Sequence, residues 1–250
     1  MRKVKAGDIF ELGDHRLACG DISDKNLLKS LIGDERINAL ILDPPYGVAY
    51  VESKSGFKQK LGCEKIIAND HKQSDKEYEK FSLDYLESIK PYLSKKNSVY
   101  IFNSDRMIFA LREAMLIAGY KFSQLLIWVK SNAVVGRLDY LPQHELIAYG
   151  WYGSHDFRKS KDKSVLFYPK PNKSKLHSTM KPIGLLRNLI LNSTKAGGVV
   201  FDGFGGSGST LIAAEHTKRR CFMIELDESH AATIIARWEK LTGLKAKKIS

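Results

Sequence analysis

Short apolar runs alternate with amphipathic helical stretches along the 250 residues of this chain, and this alternation constrains the fold more than any other feature. The runs are rich in branched and aromatic residues and are short, which is typical of strands buried on both faces. They lie at residues 16–20, 38–42, 98–103, 122–129, 145–151, 198–201 and 221–225. The helical stretches lie at 24–32, 75–92, 105–118, 182–194, 208–216 and 228–241. This order predicts an α/β fold with a doubly wound, mostly parallel seven-stranded sheet and helices on both faces.

No internal repeat or low-complexity tract interrupts the alternation, so we expect a single domain over residues 1–250. Two segments, 47–74 and 153–179, fit neither a strand nor a helix. Loops of this length in a compact domain are usually functional or disordered. Both contain aromatic residues among Lys and Arg, which suits stacking on bases and pairing with phosphates. Small local hydrophobic clusters explain the same aromatic residues equally well.

The charge balance points to a polyanionic partner. Lys and Arg number 40 against 28 Asp and Glu, which gives a formal net charge of +12. Between residues 151 and 181, eight basic residues stand against two acidic ones. Nucleic acid is therefore the first candidate for a partner, and the use of lysine for solubility is the alternative.

Other classes of protein fit the composition poorly. With 43% hydrophobic and 27% charged residues, the chain has an ordinary soluble globular composition. Its three cysteines, Cys19, Cys63 and Cys221, are odd in number and scattered. They predict neither a disulfide framework nor a zinc site, so we expect a cytoplasmic protein. The basic N-terminal residues precede no apolar run, and we expect no signal peptide and no membrane anchor.

The run Asp43-Pro44-Pro45-Tyr46 directly follows the strand predicted at 38–42. It therefore belongs at the carboxyl edge of the sheet, where open α/β folds bind their ligands. Two consecutive prolines fix the backbone and remove two backbone N–H donors. They also hold the carbonyl groups of Asp43 and Pro44 outward. Rigid acceptors beside an aromatic ring suit an amino group on a planar ring. A strand-ending turn with a surface tyrosine is the alternative.

A second motif is the glycine-rich stretch from Asp202 to Gly208, which leaves a predicted strand and opens a helix. Glycines at such a turn allow a ligand to approach the backbone closely. Taken alone the motif is ambiguous, because its glycines also match the G-x-G-x-x-G pattern of dinucleotide-binding folds, with Glu225 at the end of the next strand. No lysine follows the glycines, so the motif is not a phosphate-binding P-loop.

Together the two motifs resemble those of the DNA amino-methyltransferases. Asp-Pro-Pro-Tyr is the catalytic motif of the adenine-N6 enzymes of that family, in which a flipped adenine stacks on the tyrosine. The amine of that adenine donates hydrogen bonds to the aspartate and to the first proline carbonyl. The resemblance implies these roles for Tyr46, Asp43 and Pro44, and Pro45 completes the motif. Two acceptors on the amine hydrogens would draw its nitrogen towards a tetrahedral form with a free lone pair.

The resemblance also implies a class I S-adenosylmethionine-dependent methyltransferase (Rossmann-like) fold, with S-adenosylmethionine as the cofactor. The family writes the glycine-rich loop as Asp-x-Phe-x-Gly-Ser-Gly-Thr, which this chain matches except that Ser209 replaces threonine. The resemblance then implies that Glu225 binds the ribose hydroxyls of the cofactor. The segment 177–182 resembles the family's His-x-Thr-x-Lys-Pro, which holds the cofactor carboxylate. The residues assigned in this way to the cofactor are Asp21, Asp43, His177, Thr179, Lys181, Asp202, Phe204, Gly205, Gly206, Ser207, Gly208 and Glu225.

Double-stranded DNA is the substrate that the resemblance implies. The segment 127–132 resembles the family's Trp-x-Lys-x-Asn, which borders the target-base pocket. We expect DNA contacts from that segment and from the second irregular segment, at Lys130, Asn132, Arg158, Lys159, Lys170, Lys173 and Lys175. The catalytic motif precedes the glycine-rich loop, which is the permuted order that the family calls its β class. A recognition region this short predicts a brief target, with a homodimer and a cognate restriction endonuclease as candidate partners.

The sequence thus predicts a DNA adenine-N6 methyltransferase that flips its base and transfers the methyl group directly. Cytosine-N4 transfer is the nearest alternative, because Asp43 could serve either amine although serine is usual there. Cytosine-C5 transfer needs a cysteine that follows a proline, which this chain lacks, and RNA or protein amide methylation uses Asn-Pro-Pro-Tyr. The alternative function of a nicotinamide-dependent oxidoreductase would leave the Asp-Pro-Pro-Tyr run at residues 43–46 unexplained. A catalytically silent DNA-binding relative would keep every motif.

Overall fold

The computed structural model describes residues 2–47, 72–133, 139–158, 162–169 and 180–250. The strands in this part of the chain are β1 (Ile9–Leu12), β2 (His15–Cys19), β3 (Ile37–Leu42), β4 (Leu93–Asn103), β5 (Tyr120–Val129), β6 (His144–Tyr152), β7 (Val165–Phe167), β8 (Val199–Asp202), β9 (Arg220–Glu225) and β10 (Lys247–Lys248). The helices are α1 (Lys25–Ile32), α2 (Asp75–Ile89), α3 (Ile108–Ile117), α4 (Ile183–Ser193), α5 (Ser209–His216) and α6 (Glu228–Thr242), with a 3-10 turn at Lys90–Tyr92.

The strands form one mixed sheet in the order β10-β1-β2-β9-β8-β3-β4-β6-β5-β7. Its centre, from β2 through β9, β8 and β3 to β4, is parallel. On one side β6 runs antiparallel to both β4 and β5, and β7 is parallel to β5. On the other side β1 and β10 add antiparallel strands. The predicted α/β architecture is confirmed, and each predicted strand and helix is present.

The predicted number of seven strands is wrong, because the described part of the chain already forms a sheet of ten. The three additional strands, β1, β7 and β10, have four, three and two residues. Runs this short carry too little periodicity to be recognised in a sequence. β7 also lies within 153–179, which we expected to be irregular, and it forms by pairing with Ile127, Trp128 and Val129 of β5.

Side-chain caps explain where several helices begin. The Asp24 carboxylate accepts the backbone N–H groups of the first turn of α1, and Asp227 does the same for α6. Ser74 and Glu77 form a reciprocal capping box at the start of α2. Such caps satisfy backbone donors that have no partner within the helix. None of the helices in the described ranges is long and apolar enough to cross a membrane.

Hydrophobic cores cover both faces of the sheet. One contains Trp128 and Trp238 and draws on α4, α5 and α6, and the other contains Tyr78, Tyr85 and Phe201 and draws on α1, α2 and α3. Between these layers β2, β9, β8, β3 and β4 run in the same direction. Their carboxyl ends therefore meet at one edge of the sheet. The end of β5 and the start of β6 lie at this edge too, because β6 is antiparallel to both of its neighbours.

Candidate active site

The predicted catalytic motif, residues 43–46, lies at the middle of this edge. Asp43 follows β3, which lies between β8 and β4. Pro44 is buried, whereas Asp43, Pro45 and Tyr46 are half-buried. The motif ends at Gly47, whose φ of +61° turns the chain and whose carbonyl accepts the backbone N–H of Gln73 at 3.0 Å. The segment is thus held at both ends, and its polar atoms face the edge where the other strand ends converge.

Tyr46 lies between two carboxylates. Its hydroxyl oxygen is 3.0 Å from Asp43 Oδ1 and also 3.0 Å from Glu145 Oε2, at the start of β6. Burial and the charges of Asp43 and Glu145 raise the pKa of Tyr46 well above its ordinary value. The phenol therefore stays protonated, and its single hydrogen has two acceptors at equal distance.

Two lysines complete what we call the ionic cluster, which consists of Asp43, Lys130, Glu145 and Lys181. Lys181 Nζ lies 2.6 Å from Asp43 Oδ2 and 3.2 Å from Glu145 Oε2. Lys130 Nζ lies 2.9 Å from Glu145 Oε1. Both lysine side chains are almost wholly buried. Buried charges need partners of opposite sign, and here two carboxylates balance two ammonium groups.

The charge states of the cluster follow from these contacts. Burial would lower the pKa of Lys181, but the carboxylates of Asp43 and Glu145 outweigh it and raise that pKa. Burial would likewise raise the pKa of Glu145, yet Lys181 and Lys130 together lower it to about 2. At neutral pH Glu145 is therefore an anion that cannot serve as a proton acceptor for a substrate.

Two further carboxylates lie on β8, which is next to β3, and on β9, which is next to β8. Asp202 ends β8 and is 4% exposed, and Glu225 ends the adjacent β9 and is 7% exposed. Asp202 Oδ1 accepts the backbone N–H of Phe204 at 3.0 Å. The two oxygens of Glu225 accept the backbone N–H groups of Gly206 and Asp227. Each carboxylate thus fixes the turn that follows its strand.

The glycine-rich turn between β8 and α5 leaves room for a ligand. Gly206 and Gly208 have φ values of +52° and +77°, which side chains rarely tolerate. Of the described residues, a Cβ on Gly206 would meet only the Phe204 carbonyl oxygen, at 3.8 Å, so these residues leave the outward side of the turn open. By contrast, a Cβ on Gly203 would lie 2.1 Å from Ile22 Cδ1, so that glycine serves packing beneath the turn.

The electrostatics of this part of the edge favour a cation. Burial raises the pKa of Asp202 to about 7, and the nearby charges of Asp43 and Glu225 contribute, although hydrogen bonds from Thr210 and from the Phe204 N–H oppose the shift. Three carboxylates on neighbouring strands repel one another unless a positive group comes between them. The donors and charges here fit a positively charged ligand that also carries hydroxyl groups.

Other predicted cofactor residues lie around the same turn. Asp21 is exposed one residue after Gly20, whose N–H donates to the Glu225 carbonyl oxygen at 2.9 Å. Phe204 packs against Tyr85, with ring centroids 5.4 Å apart. Ser207 is buried, and its hydroxyl lies 3.0 Å from that of Ser209. The structure therefore brings Asp21, Asp202, Phe204, Ser207, Glu225 and the glycines together, whereas Lys181 lies with Asp43 in the ionic cluster.

The predicted DNA-contacting residues have different surroundings. Lys130 is 7% exposed and is held by Glu145, whereas Asn132 is exposed two residues further on. Arg158 is exposed, and its guanidinium lies 2.7 Å from Asp156 Oδ2. The remaining predicted site residues lie outside the described residues and stay predictions: Lys159, Lys170, Lys173, Lys175, His177 and Thr179. The same holds for most of segment 47–74.

Sequence reasoning missed Glu145. The available signal was a lone acid near the start of the apolar strand β6, paired in register with Trp128, two residues before Lys130. A charge in a buried strand needs a partner. That signal could not identify the partner, because Lys181 is 36 residues further along the chain.

This chain is similar to known DNA methylases. The DNA methylase family model matches residues 37–236. The type II methyltransferase M2.DpnII of Streptococcus pneumoniae is 25% identical over 232 residues, which cover 83% of this chain and 84% of that protein. The type II methyltransferase M.HpaI of Haemophilus parainfluenzae is 24% identical over 247 residues, with coverage of 87% and 72%.

Solved structures show the same fold. The M1.HpyAVI–SAM complex superimposes with a TM-score of 0.65 at 21% identity, covering 88% of this chain and 98% of that one. The cytosine-N4-specific PvuII DNA methyltransferase gives 0.67 at 15% identity, covering 93% and 89%. The Rossmann-like α/β fold is thus common to these methyltransferases. Since the family match includes the catalytic motif, the ionic cluster and the glycine-rich turn, this chain belongs to the DNA methylase family of N6 and N4 amino-methyltransferases.

Proposed function

We propose that this protein transfers the methyl group of S-adenosylmethionine to the N6 amino group of adenine in double-stranded DNA. One observation carries the proposal: the rigid acceptor run at Asp43 and Pro44 and the open glycine-rich turn follow adjacent parallel strands, β3 and β8. An amine acceptor and a cofactor cradle are therefore neighbours. The target base has to leave the duplex to reach them, at a cost of about a few kcal/mol, which stacking on Tyr46 would partly offset.

The turn and its carboxylates fit S-adenosylmethionine. When bound, the cofactor supplies a methyl group activated by a positively charged sulfur. Glu225 would accept the ribose hydroxyls, because each of its oxygens has a lone pair beyond the one used by a backbone N–H. Asp202 and Phe204 would line the pocket, and the three carboxylates Asp43, Asp202 and Glu225 would stabilise the positive charge.

The acceptor run would act on the amine of the base. Asp43 and the Pro44 carbonyl would each accept one amine hydrogen and raise the density of the nitrogen lone pair that attacks the methyl carbon. The nitrogen then has to lose one proton. That proton would pass by way of the partly exposed Asp43 carboxylate to solvent, because Glu145 has a pKa of about 2 and the Tyr46 phenol keeps its own proton. The transfer is direct, with no covalent bond between enzyme and DNA.

The choice of adenine over cytosine rests on Asp43. The cytosine-N4 enzymes usually carry serine at this position, whereas the adenine-N6 enzymes carry aspartate. Residues 1–250 would form the single catalytic domain of such an enzyme, with segments 47–74 and 153–179 as the DNA-contacting parts. A homodimer and a cognate restriction endonuclease stay predictions.

The test is methyl incorporation from radiolabelled S-adenosylmethionine into unmethylated genomic DNA, followed by digestion to nucleosides and mass spectrometry. We expect labelled N6-methyladenine. Labelled N4-methylcytosine would keep the family and the cofactor but overturn the choice of base. Cofactor binding without label in DNA would overturn the proposed function and direct attention to RNA or protein.

A further inference from the structure

Both carboxylate oxygens of the catalytic aspartate, Asp43, already contact donors of the protein itself. Asp43 Oδ1 lies 3.0 Å from the Tyr46 hydroxyl, and Oδ2 lies 2.6 Å from Lys181 Nζ. At 29% exposure it is the most accessible side chain of the ionic cluster, so it is the one that a base can reach. A carboxylate that is neutralised by an ammonium group accepts a further hydrogen bond only weakly. Each oxygen keeps a second lone pair for the target amine, and loosening of these two contacts would strengthen the hydrogen bond to that amine.

Glu145 offers the same two donors a second acceptor. Its Oε2 is 3.0 Å from the Tyr46 hydroxyl, the same distance as Asp43 Oδ1. The single hydroxyl hydrogen can turn from one carboxylate to the other without movement of the ring. Lys181 Nζ is already 3.2 Å from Glu145 Oε2, so a small shift completes that exchange too.

Lys130 holds Glu145 in the position that this exchange requires. Its Nζ binds Glu145 Oε1 at 2.9 Å and leaves Oε2 directed at Tyr46 and Lys181. Reciprocal hydrogen bonds with Gln143, at 2.8 Å and 3.1 Å, fix the backbone of Lys130. The charges of the ionic cluster sum to zero whichever carboxylate holds Lys181, so the exchange leaves the net buried charge unchanged.

We propose that Glu145 is a positioning residue of the methyl-transfer reaction: it takes over the Tyr46 hydroxyl and the Lys181 ammonium while Asp43 accepts the amine of the target base. The assignment rests on the proposed function. Glu145 forms no bond to the base and moves no proton. The competing explanation is that Glu145 only balances the charges of two buried lysines.

The first variant is Glu145→Gln, which keeps the shape and one oxygen acceptor but removes the charge that draws Lys181 away from Asp43. We expect the single-turnover rate of methyl transfer to unmethylated genomic DNA, at saturating S-adenosylmethionine, to fall by about 100-fold. Affinity for S-adenosylmethionine, measured by calorimetry, should stay within about threefold of the wild type. The control is Glu113→Gln at an exposed glutamate bound to Arg112, which should keep the wild-type rate.

The pH profile separates positioning from charge balance. Among the residues that the structure describes, the charged and titratable groups around Lys181 are Asp43, Tyr46 and Glu145, with Lys130 on the far side of Glu145. Without Glu145, Lys181 loses a carboxylate that favours its charged form. Lys181 should then deprotonate at lower pH and release Asp43, so the rate of the variant should rise with pH relative to the wild-type rate.

A second variant removes the competition for Asp43. Adding Lys181→Met to Glu145→Gln leaves Asp43 without its ammonium partner, and we expect the double variant to be about tenfold faster than Glu145→Gln alone. If Glu145→Gln does not fold, as judged by thermal unfolding, the double variant is compared with Lys181→Met. The proposal then expects these two rates to agree within about tenfold. In both proteins the Lys181 ammonium is absent, so Glu145 has no ammonium to draw away from Asp43.

Each outcome decides the proposal. A slow Glu145→Gln that speeds up with pH, together with recovery in the double variant, supports it. A Glu145→Gln rate equal to that of the wild type overturns it. So does a double variant slower than Glu145→Gln, or a pH profile parallel to that of the wild type. If the wild-type protein binds S-adenosylmethionine but leaves DNA unlabelled, the proposed function itself is overturned before any variant is compared.

Discussion

Asp43 and Asp202 are aspartates at the ends of adjacent strands, and their surroundings give them different chemistry. Asp43 is half-exposed and contacts Lys181 at 2.6 Å. Asp202 is 4% exposed, and burial together with two neighbouring carboxylates raises its pKa to about 7. The first is already bound to an ammonium group, whereas the second ionises more readily when a cation lies nearby.

Replacement of Asp43 tests the acceptor role. Asp43→Ala removes one of the two acceptors for the amine and should lower the single-turnover methyl-transfer rate by about 1,000-fold. The residues of the glycine-rich turn are untouched, so the affinity for S-adenosylmethionine should change little. Radiolabel incorporation and calorimetry measure the two effects. Retained transfer in Asp43→Ala would contradict the acceptor role.

Replacement of Asp202 tests the effect of its raised pKa on stability. A carboxyl group with a folded-state pKa of about 7, above the ordinary 3.8, stabilises the protein fully below pH 4 and loses this contribution as pH rises through 7. Asp202→Asn should therefore be more stable than the wild type at pH 8, by about a few kcal/mol, and almost equal to it at pH 4. Urea unfolding without cofactor measures the difference. Equal stabilities at pH 8 would contradict the shift.

The same carboxyl group should make cofactor binding depend on pH. A positively charged ligand favours ionised Asp202, so the wild-type affinity for S-adenosylmethionine should fall as pH drops from 8 to 6, and binding below about pH 7 should release a proton from Asp202. Calorimetry in buffers of different ionisation enthalpy measures the released proton. Asp202→Asn is the control, and it should lose this release. An unchanged release in that variant would assign the proton to another group.

At the scale of elements, the turn between β8 and α5 combines two kinds of glycine. Gly203 is required by packing, because its Cβ position is 2.1 Å from Ile22 Cδ1. Gly208 is required by its backbone, with φ at +77° directly before α5. Both requirements keep the turn open beside Asp202, but only the first depends on Ile22, because a Cβ on Gly208 would instead lie 3.0 Å from Ile234 Cγ2.

These two requirements can be separated by a compensating change. Gly203→Ala should destabilise the protein by about 1–3 kcal/mol through overpacking against Ile22. Adding Ile22→Ala removes the overlapping atoms, so the double variant should lose less stability than the two single losses added together. Gly208→Ala is the matched comparison, and Ile22→Ala should not relieve its backbone strain. Urea unfolding of the variants measures each effect, and strictly additive losses would contradict the packing explanation.

At the scale of the whole molecule, the net charge of +12 favours DNA, and the basic segment 153–179 follows β6. Replacing Lys170, Lys173 and Lys175 with Gln should weaken DNA binding. It should also make the slope of log K against log salt less steep by up to about 2.7, at roughly 0.9 for each lost phosphate contact. Fluorescence anisotropy across a salt titration measures the slope.

The control for that experiment uses charges at the opposite edge of the sheet. Arg36, Lys195 and Lys218 are exposed and lie before β3, β8 and β9, away from the active-site edge. Replacing all three with Gln changes the net charge equally and should leave the slope close to that of the wild type. Equal changes of the slope in both triple variants would mean that DNA binding depends only on the total charge of the protein.

The site was partly predictable, and its residues show why. Asp43, Pro44 and Tyr46 are adjacent in sequence, and their chemistry follows from two prolines after an apolar strand. Asp202 and Glu225 were recognised because each ends a strand in a motif. Glu145 was not, because its role depends on contacts with Lys130 and Lys181, and no motif of the sequence analysis contains it.

The sequence by itself determined the alternation of strands and helices, the catalytic run and the glycine-rich turn, because periodicity, prolines and glycines act on the chain locally. The tertiary structure alone decided the rest. It added three short strands whose stability comes from pairing with neighbours, and it placed Lys130, a predicted DNA contact, in a buried ion pair with Glu145. It also raised the pKa of Asp202, because burial and the approach of other charges exist only once distant segments have packed together.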